Sequence, residues 1–463
     1  MQIILDSKVN NEAVKYTFRT LFVEFLDMKI SFSDDLSQIG KNESKDITFY
    51  YGFKENQKGD FDVSIYANDL WLKKNYLKSE SMPKLPLLRY DNDLPIIYLG
   101  KNETKPDIII NDKSITTTID FIASSFFYLS RYEEVISKEI DEHSNFPVEA
   151  SINFKENLLH RPIVNEYLEL LWVLLKKINP ELKRTKRKFS LLLTHDVDDL
   201  NRWDFKNRMR TLGGSLFKRK SLKLFFIYIF RNLIWMFKSK KNPFKYIIYT
   251  SKKYGFKSHF YFLINGSSKK YDNRFDPQSK QAKRIIDDLE NEGFEIGLHP
   301  SYSSFLNLVQ KQKEKSILDS LTKQKVTGAR THYLRFKVPE SYRNLESCGI
   351  KYDTSLGYSN TDGFRAGVCY PFKPFDILEN KELSIEERPL ITMEVALLQA
   401  HTYFVSQEYL FQLIKKRIDT ISLYNGMFVF LMHNDSLSDY EYPWRKLYDK
   451  VLAYCAEVEG RKI

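Results

Sequence analysis

Apolar and polar positions divide the chain into two regimes. Up to about residue 180, strand-like runs such as Ile47-Thr48-Phe49-Tyr50-Tyr51 and Ile96-Ile97-Tyr98-Leu99 alternate with turn clusters such as Asp91-Asn92-Asp93 and Lys101-Asn102-Glu103. A helical period follows over 119–130 and again over 164–172. This pattern predicts a smaller α+β domain over residues 1–185, closed off by the basic run Lys183-Arg184-Thr185-Lys186-Arg187-Lys188. Its Ser130-Arg131-Tyr132-Glu133-Glu134 cluster reads as a solvated, salt-bridged helix end rather than a recognition surface.

The second regime, residues 186–463, opens on Phe189-Ser190-Leu191-Leu192-Leu193-Thr194-His195-Asp196-Val197-Asp198-Asp199, an apolar run of strand length that ends in acid. Such a run fits a strand covered on both faces, which tolerates carboxylates only at its carboxyl end. A βα rhythm becomes regular later. Strands are predicted over 258–264, 294–299, 326–329, 351–355, 390–395 and 427–432. Helices are predicted over 305–321, 339–348, 407–423 and 444–458. Asp276-Pro277 supplies an N-cap and first-turn proline for one more helix, stopped at Gly293. The fold class implied is α/β, a distorted (β/α) barrel preceded by the smaller α+β domain.

Between the first two of these strands lies a basic insertion at about 205–250. Residues 205–271 carry 17 Lys and Arg with no Asp or Glu, within a chain of net charge +11. Its centre, 222–237, is apolar and aromatic, and Lys218-Arg219-Lys220 and Lys238, Lys240 and Lys241 flank it. Peripheral contact with an anionic bilayer is one reading, and a helix packed on the barrel with a basic outer face is the other. Nucleic acid is disfavoured because no recognised binding motif accompanies the charge. The 43% hydrophobic share, with 34 Phe and 29 Tyr, supports substantial cores. Three cysteines without a CxxC pair suit a reducing compartment. No basic n-region followed by an apolar h-region opens the chain, and no run is long enough to span a bilayer. The expected location is cytoplasmic, at the inner face of the membrane if the insertion binds there.

The chemically unusual residues fall at strand ends. Asp196 and Asp198 close one strand, His299 another, Arg330 and His332 follow a third, Glu394 a fourth, and His433 the last. Alternation along the first strand puts Thr194, Asp196 and Asp198 on one face and His195 on the other. One carboxylate with imidazoles is the ligand set of catalytic zinc or a similar divalent ion that keeps a position open for water. Asp198 and His299 are the first candidates, and the third ligand is either His332 or the Ser303 hydroxyl with water. Asp196 stands as general base, His433 as the acid that protonates a leaving group, and Arg330 as the partner of a carboxylate, Asp196 by preference. Tyr302 and Arg365 are candidate substrate-binding residues, the latter in a glycine-bounded loop, Gly363-Phe364-Arg365-Ala366-Gly367, placed near the mouth. His195, His259 and His401 read as structural.

These residues resemble the motifs of the polysaccharide deacetylase family (carbohydrate esterase family 4). Thr194-His195-Asp196-Val197-Asp198 is similar to its first motif, whose two aspartates serve as base and metal ligand, and this implies those roles for Asp196 and Asp198. His299-Pro300-Ser301-Tyr302-Ser303 resembles its second motif with Ser303 in place of the second histidine. Arg330-Thr331-His332-Tyr333 resembles its arginine motif, and Phe430-Leu431-Met432-His433 its last. The loop after Gly363 resembles a subfamily with an extra N-terminal domain. The resemblance covers 189–460 and implies a metal-dependent hydrolase that removes an acyl group, chiefly N-acetyl, from a sugar in a glycan or glycan precursor, lipid-linked if the insertion meets a membrane. The competing expectation, from a different class, is a catalytically inactive glycan-binding or scaffolding barrel.

Overall fold

The computed structural model describes residues 1–33, 47–91, 93–200, 205–217, 220–237, 242–264, 266–268, 270–272, 275–401, 405–438 and 443–461. The chain forms two compact units. One comprises Met1–Arg187, Lys337–Arg343 and Gly363–Pro389, and the other Lys188–Phe336, Asn344–Asp362 and Leu390–Ile463.

The first unit is built on a six-stranded sheet in the order β2-β1-β3-β4-β6-β5: β1 (Gln2–Leu5), β2 (Ser31–Ser33), β3 (Thr48–Gly52), β4 (Val63–Tyr66), β5 (Ile108–Ile110) and β6 (Ile115–Thr117). Its pairings are parallel except for the antiparallel edge pair of β5 with β6. Burial gives the reason. Phe49, Tyr50 and Tyr51 are consecutive and all buried, as in a strand covered on both faces. Helices α1 (Glu12–Phe18), α2 (Phe121–Leu129), α3 (Tyr132–Ile136) and α4 (Ile163–Ile178) belong to this unit, and Asp120 caps α2 by accepting from Ala123 N at 2.8 Å.

Two stretches read differently from expectation here. The Arg131-Tyr132-Glu133-Glu134 cluster is buried, not solvated. The Gly363-Phe364-Arg365 loop is folded into this unit: Phe364 N donates to Leu159 O at 2.7 Å, and Val164 N donates to Gly367 O at 2.8 Å. Gly363 is required there, because its φ of +141° lies in the region glycine favours and a Cβ would stand 2.3 Å from Leu159 O. Arg365 forms two hydrogen bonds to Glu134, Nε to Oε1 at 2.8 Å and Nη2 to Oε2 at 2.7 Å, and Arg131 Nε adds a third at 2.9 Å. Burial pushes the Glu134 carboxyl up, but the two guanidinium groups win and hold it below the usual carboxylate range.

In the second unit seven strands lie in the order β11-β10-β9-β8-β7-β13-β12, and the pairings between neighbours are all parallel. They are β7 (Ser190–Val197), β8 (Ser258–Leu263), β9 (Glu295–His299), β10 (Gly328–Ala329), β11 (Tyr352–Asp353), β12 (Thr392–Met393) and β13 (Met427–Leu431). This is an open, mixed α/β arrangement of the (β/α) barrel kind, and parallel strands bring all carboxyl ends to one edge. Strand β7 is central, with Asp196 opposite Tyr261 and Thr194 opposite Leu431. Between β7 and β8 run α5 (Phe205–Phe217), α6 (Leu222–Phe237) and α7 (Pro243–Tyr254), followed later by α8 (Lys280–Asn291), α9 (Leu308–Asp319), α10 (Glu394–His401), α11 (Gln407–Leu423) and α12 (Trp444–Val458). Helix α8 starts beyond Asp276-Pro277. Ser279 caps it by accepting from Ala282 N, while Asp276 Oδ1 accepts from Gln278 N in the turn before. Of the flanking cations, Lys218, Arg219, Lys238, Lys240 and Lys241 lie outside the described residues.

Candidate metal centre and active site

The carboxyl edge of the second unit's sheet gathers three potential ligands. Asp198, just past β7, His299, the last residue of β9, and His332, in the turn after β10, present ligand atoms within 4.8 Å of one another. His299 Nε2 is 3.2 Å from Asp198 Oδ1, and His332 Nε2 is 3.5 Å from Asp198 Oδ2. Three donors around a tetrahedral ion at about 2.1 Å stand about 3.4 Å apart, so these spacings suit a divalent cation.

Each imidazole is aimed by its other nitrogen. His299 Nδ1 lies 2.5 Å from Arg330 O, and a carbonyl only accepts, so Nδ1 carries the hydrogen and Nε2 is turned toward Asp198. His332 Nδ1 faces Asp272 Oδ1 at 3.4 Å. Asp272 is itself fixed, accepting from Tyr302 N at 2.6 Å and Ser303 N at 3.0 Å. It packs against Gly266, where a Cβ would fall 2.3 Å from its own Cβ. A carboxylate behind a histidine is the usual outer support of a metal ligand. Asp198 Oδ1 and His299 Nε2 are buried atoms without a hydrogen-bond partner. A cation would satisfy both atoms.

Charge follows the same logic. Burial pushes the Asp198 carboxyl up, but His332 and His299 outweigh it and hold it well below the carboxylate range. His332 is pushed up to about 9, because Asp198 and then Asp272 overcome the opposing effect of burial. A cation entering the cluster must displace that proton.

Two further groups flank the cluster. Asp196 Oδ2 is 3.8 Å from His299 Nε2, while its Oδ1 accepts from Arg330 Nη1 at 3.2 Å. Arg330 is held in turn, Nε donating to Thr354 O at 3.0 Å and Nη1 to Thr194 Oγ1 at 2.7 Å. His433, two residues beyond β13, sets Nδ1 2.8 Å from Glu394 Oε1, which also accepts from His433 N at 2.9 Å and Ser436 Oγ at 2.7 Å. Burial opposes the charge on His433, but Glu394 first, then Asp198 and Asp196, push it up to about 10.

Not every candidate comes to this edge. Ser303 does not supply the third donor: its Oγ accepts from Ser267 N at 2.9 Å and meets Ser301 Oγ at 3.0 Å, and its backbone supports Asp272. Arg365 belongs to the first unit, where the Nε–Nη2 edge of its guanidinium donates to both oxygens of Glu134, and it is not among the groups gathered at this edge. Tyr302 is at the site, its ring stacked on Tyr271 at 4.1 Å and covered by the Arg335 guanidinium at 4.0 Å. His195 is structural, with Nδ1 2.8 Å from Met432 O, and burial pushes it down to about 3. Asp272 is the functional residue that pattern reading misses, although it is the acid that ends the acid-free run 205–271.

Residues 3–180 match a family of unknown function (DUF7033). No curated protein matches this chain. Among solved structures, a Mycobacterium smegmatis protein assigned as a polysaccharide deacetylase is similar at 11% identity and a TM-score of 0.38, over 59% of this chain and 85% of its own. Puue allantoinase is similar at 12% identity and a TM-score of 0.38, over 58% and 84%. A CE4 family pseudoenzyme from Bacillus anthracis is similar at 12% identity and a TM-score of 0.31, over 59% and 62%.

Proposed function

We propose that the second unit is a zinc-dependent hydrolase that removes an N-acetyl group from an amino sugar in a glycan or glycan precursor. The observation that carries this reading is the Asp198–His299–His332 cluster with a second carboxylate and a supported imidazole beside it. Asp198, His299 and His332 would hold the ion, which supplies Lewis-acid polarisation of water and of the acetyl carbonyl. Asp196 accepts the proton of the attacking water. Arg330 keeps one oxygen of that carboxylate occupied, leaving Oδ2 toward the cluster. His433 is held protonated by Glu394 and delivers a proton to the departing amine nitrogen.

An inactive scaffolding barrel drew its support from Ser303 standing where a second histidine is expected. His332, with an imidazole nitrogen 3.5 Å from Asp198, offers the second histidine in its place and favours the active reading. The test is acetate release from a panel of N-acetylated amino-sugar oligosaccharides by protein loaded with zinc. Turnover that drops about 10²–10⁴-fold in Asp196→Asn and in His433→Ala supports the reading. Absence of turnover across the panel from protein that carries the ion contradicts it.

A further inference from the structure

Helix α6 buries one face and leaves a largely apolar one exposed. Tyr228 and Asn232 are buried on one side, with Asn232 Nδ2 donating to Tyr228 O at 2.9 Å. At about 100° per residue, Leu222, Phe226, Phe230 and Leu233 fall on the opposite side. They are 67%, 64%, 64% and 47% exposed, and Phe217 at the end of α5 is 83% exposed. A basic outer face is the expectation for a helix that merely packs on a barrel. Here Lys223 is the cation of that arc among the residues whose burial is described, and the arc is otherwise apolar. An exposed arc of large apolar side chains is covered by something.

Charge decides what covers it. Residues 205–271 hold 17 cations and no carboxylate. A second copy meeting this face across a two-fold axis sets the exposed Arg210, Lys220 and Lys223 against their own kind, and neither α5 nor α6 carries a carboxylate. A surface of lipid phosphates supplies the opposite charge and an apolar interior beneath it. No helix among the described residues is long and apolar enough to cross a membrane. Helix α6, with 16 residues, is about 24 Å long against a hydrocarbon core of about 30 Å.

We propose that the α5–α6 hairpin is a membrane-binding element that lies in the interface of an anionic bilayer, with Leu222, Phe226, Phe230 and Leu233 inserted and Arg210, Lys220 and Lys223 against the headgroups. The inference is independent of the chemistry at the strand ends.

The test sediments the full-length protein with vesicles of phosphatidylcholine alone and with vesicles containing about one-third phosphatidylglycerol. Binding is expected only to the anionic vesicles. It is expected to weaken about tenfold or more at high salt and in Phe226→Ser/Phe230→Ser, whose exposed side chains leave the circular dichroism spectrum unchanged. Equal recovery with both vesicle types overturns the proposal, as does binding that the double variant retains. Light scattering that finds a dimer dissolved by the same variant, without vesicle binding, assigns the face to a second copy and also overturns it.

Discussion

The third ligand rests on local backbone geometry. His332 sits in a short turn where Tyr333 and Leu334 take φ of 60° and 49°, left-handed values rare for such side chains, and the Asp272 carboxylate stands behind the ring. Ser303 is diverted because its hydroxyl and its N–H are both engaged away from the ligands. Replacing Asp272 with Asn leaves the hydrogen-bond shape but removes the charge that raises ligand basicity. Zinc affinity in a chelator competition is expected to fall about 10–100-fold, and an unchanged affinity would refute a supporting role. His332 also sets a pH dependence in the metal-free protein. Its pKa is raised from 6.5 to about 9, so the stability from its pairing is whole below 6.5 and is lost as pH rises through about 9. Thermal melts of chelated protein should therefore decline over that window, and less steeply in His332→Asn. The strand-end residues Asp196, Asp198, His299 and His433 were legible because acid and imidazole after an apolar run are unusual. Asp272 was not, since a loop residue has no periodicity, and its partner is 60 positions away.

At the scale of elements, apolar period places most strands and helices within a residue or two: 407–423 and 444–458 coincide with α11 and α12. It fails where a side chain makes the decision. Both Asp276 and Ser279 are good caps, and the choice turned on which of them found the helix N–H. It also misread Arg131-Tyr132-Glu133-Glu134 as a solvated surface, because a charged run looks alike whether its partner is water or an arginine from far along the chain. That partner is Arg365. Arg365→Ala leaves Glu134 buried with one guanidinium fewer, and urea unfolding should report a loss of about 3 kcal/mol. A loss within error would mean the pair contributes nothing to stability. Arg365→Met/Glu134→Leu should recover part of the loss, since neither charge is then left buried alone.

At the scale of the molecule, the return of 337–343 and 363–389 to the first unit was not legible, because periodicity describes a segment's own faces and not the body it joins. The parallel sheet was legible, since buried strands alternating with helices leave few other architectures. The charge asymmetry was legible too, but whether cations or aromatic rings face outward needed the side chains of α6 in place. Binding of an ion by groups from β7, β9 and the turn after β10 ties three separate stretches together. Its free energy adds to folding stability, about 2.7 kcal/mol at a hundredfold excess over Kd. Chelation should lower the melting temperature, and zinc should restore it in the wild type but not in Asp198→Ala.

The hydrolase reading depends on an ion at one place. The direct measurement is anomalous scattering at the zinc edge from crystals of the zinc-loaded protein, with metal content determined on the same sample. The account predicts one ion per chain, bound by Asp198, His299 Nε2 and His332 Nε2, with Ser303 outside the coordination shell. A chain that takes up no divalent ion, or an ion coordinated by Ser303 in place of His332, would contradict it.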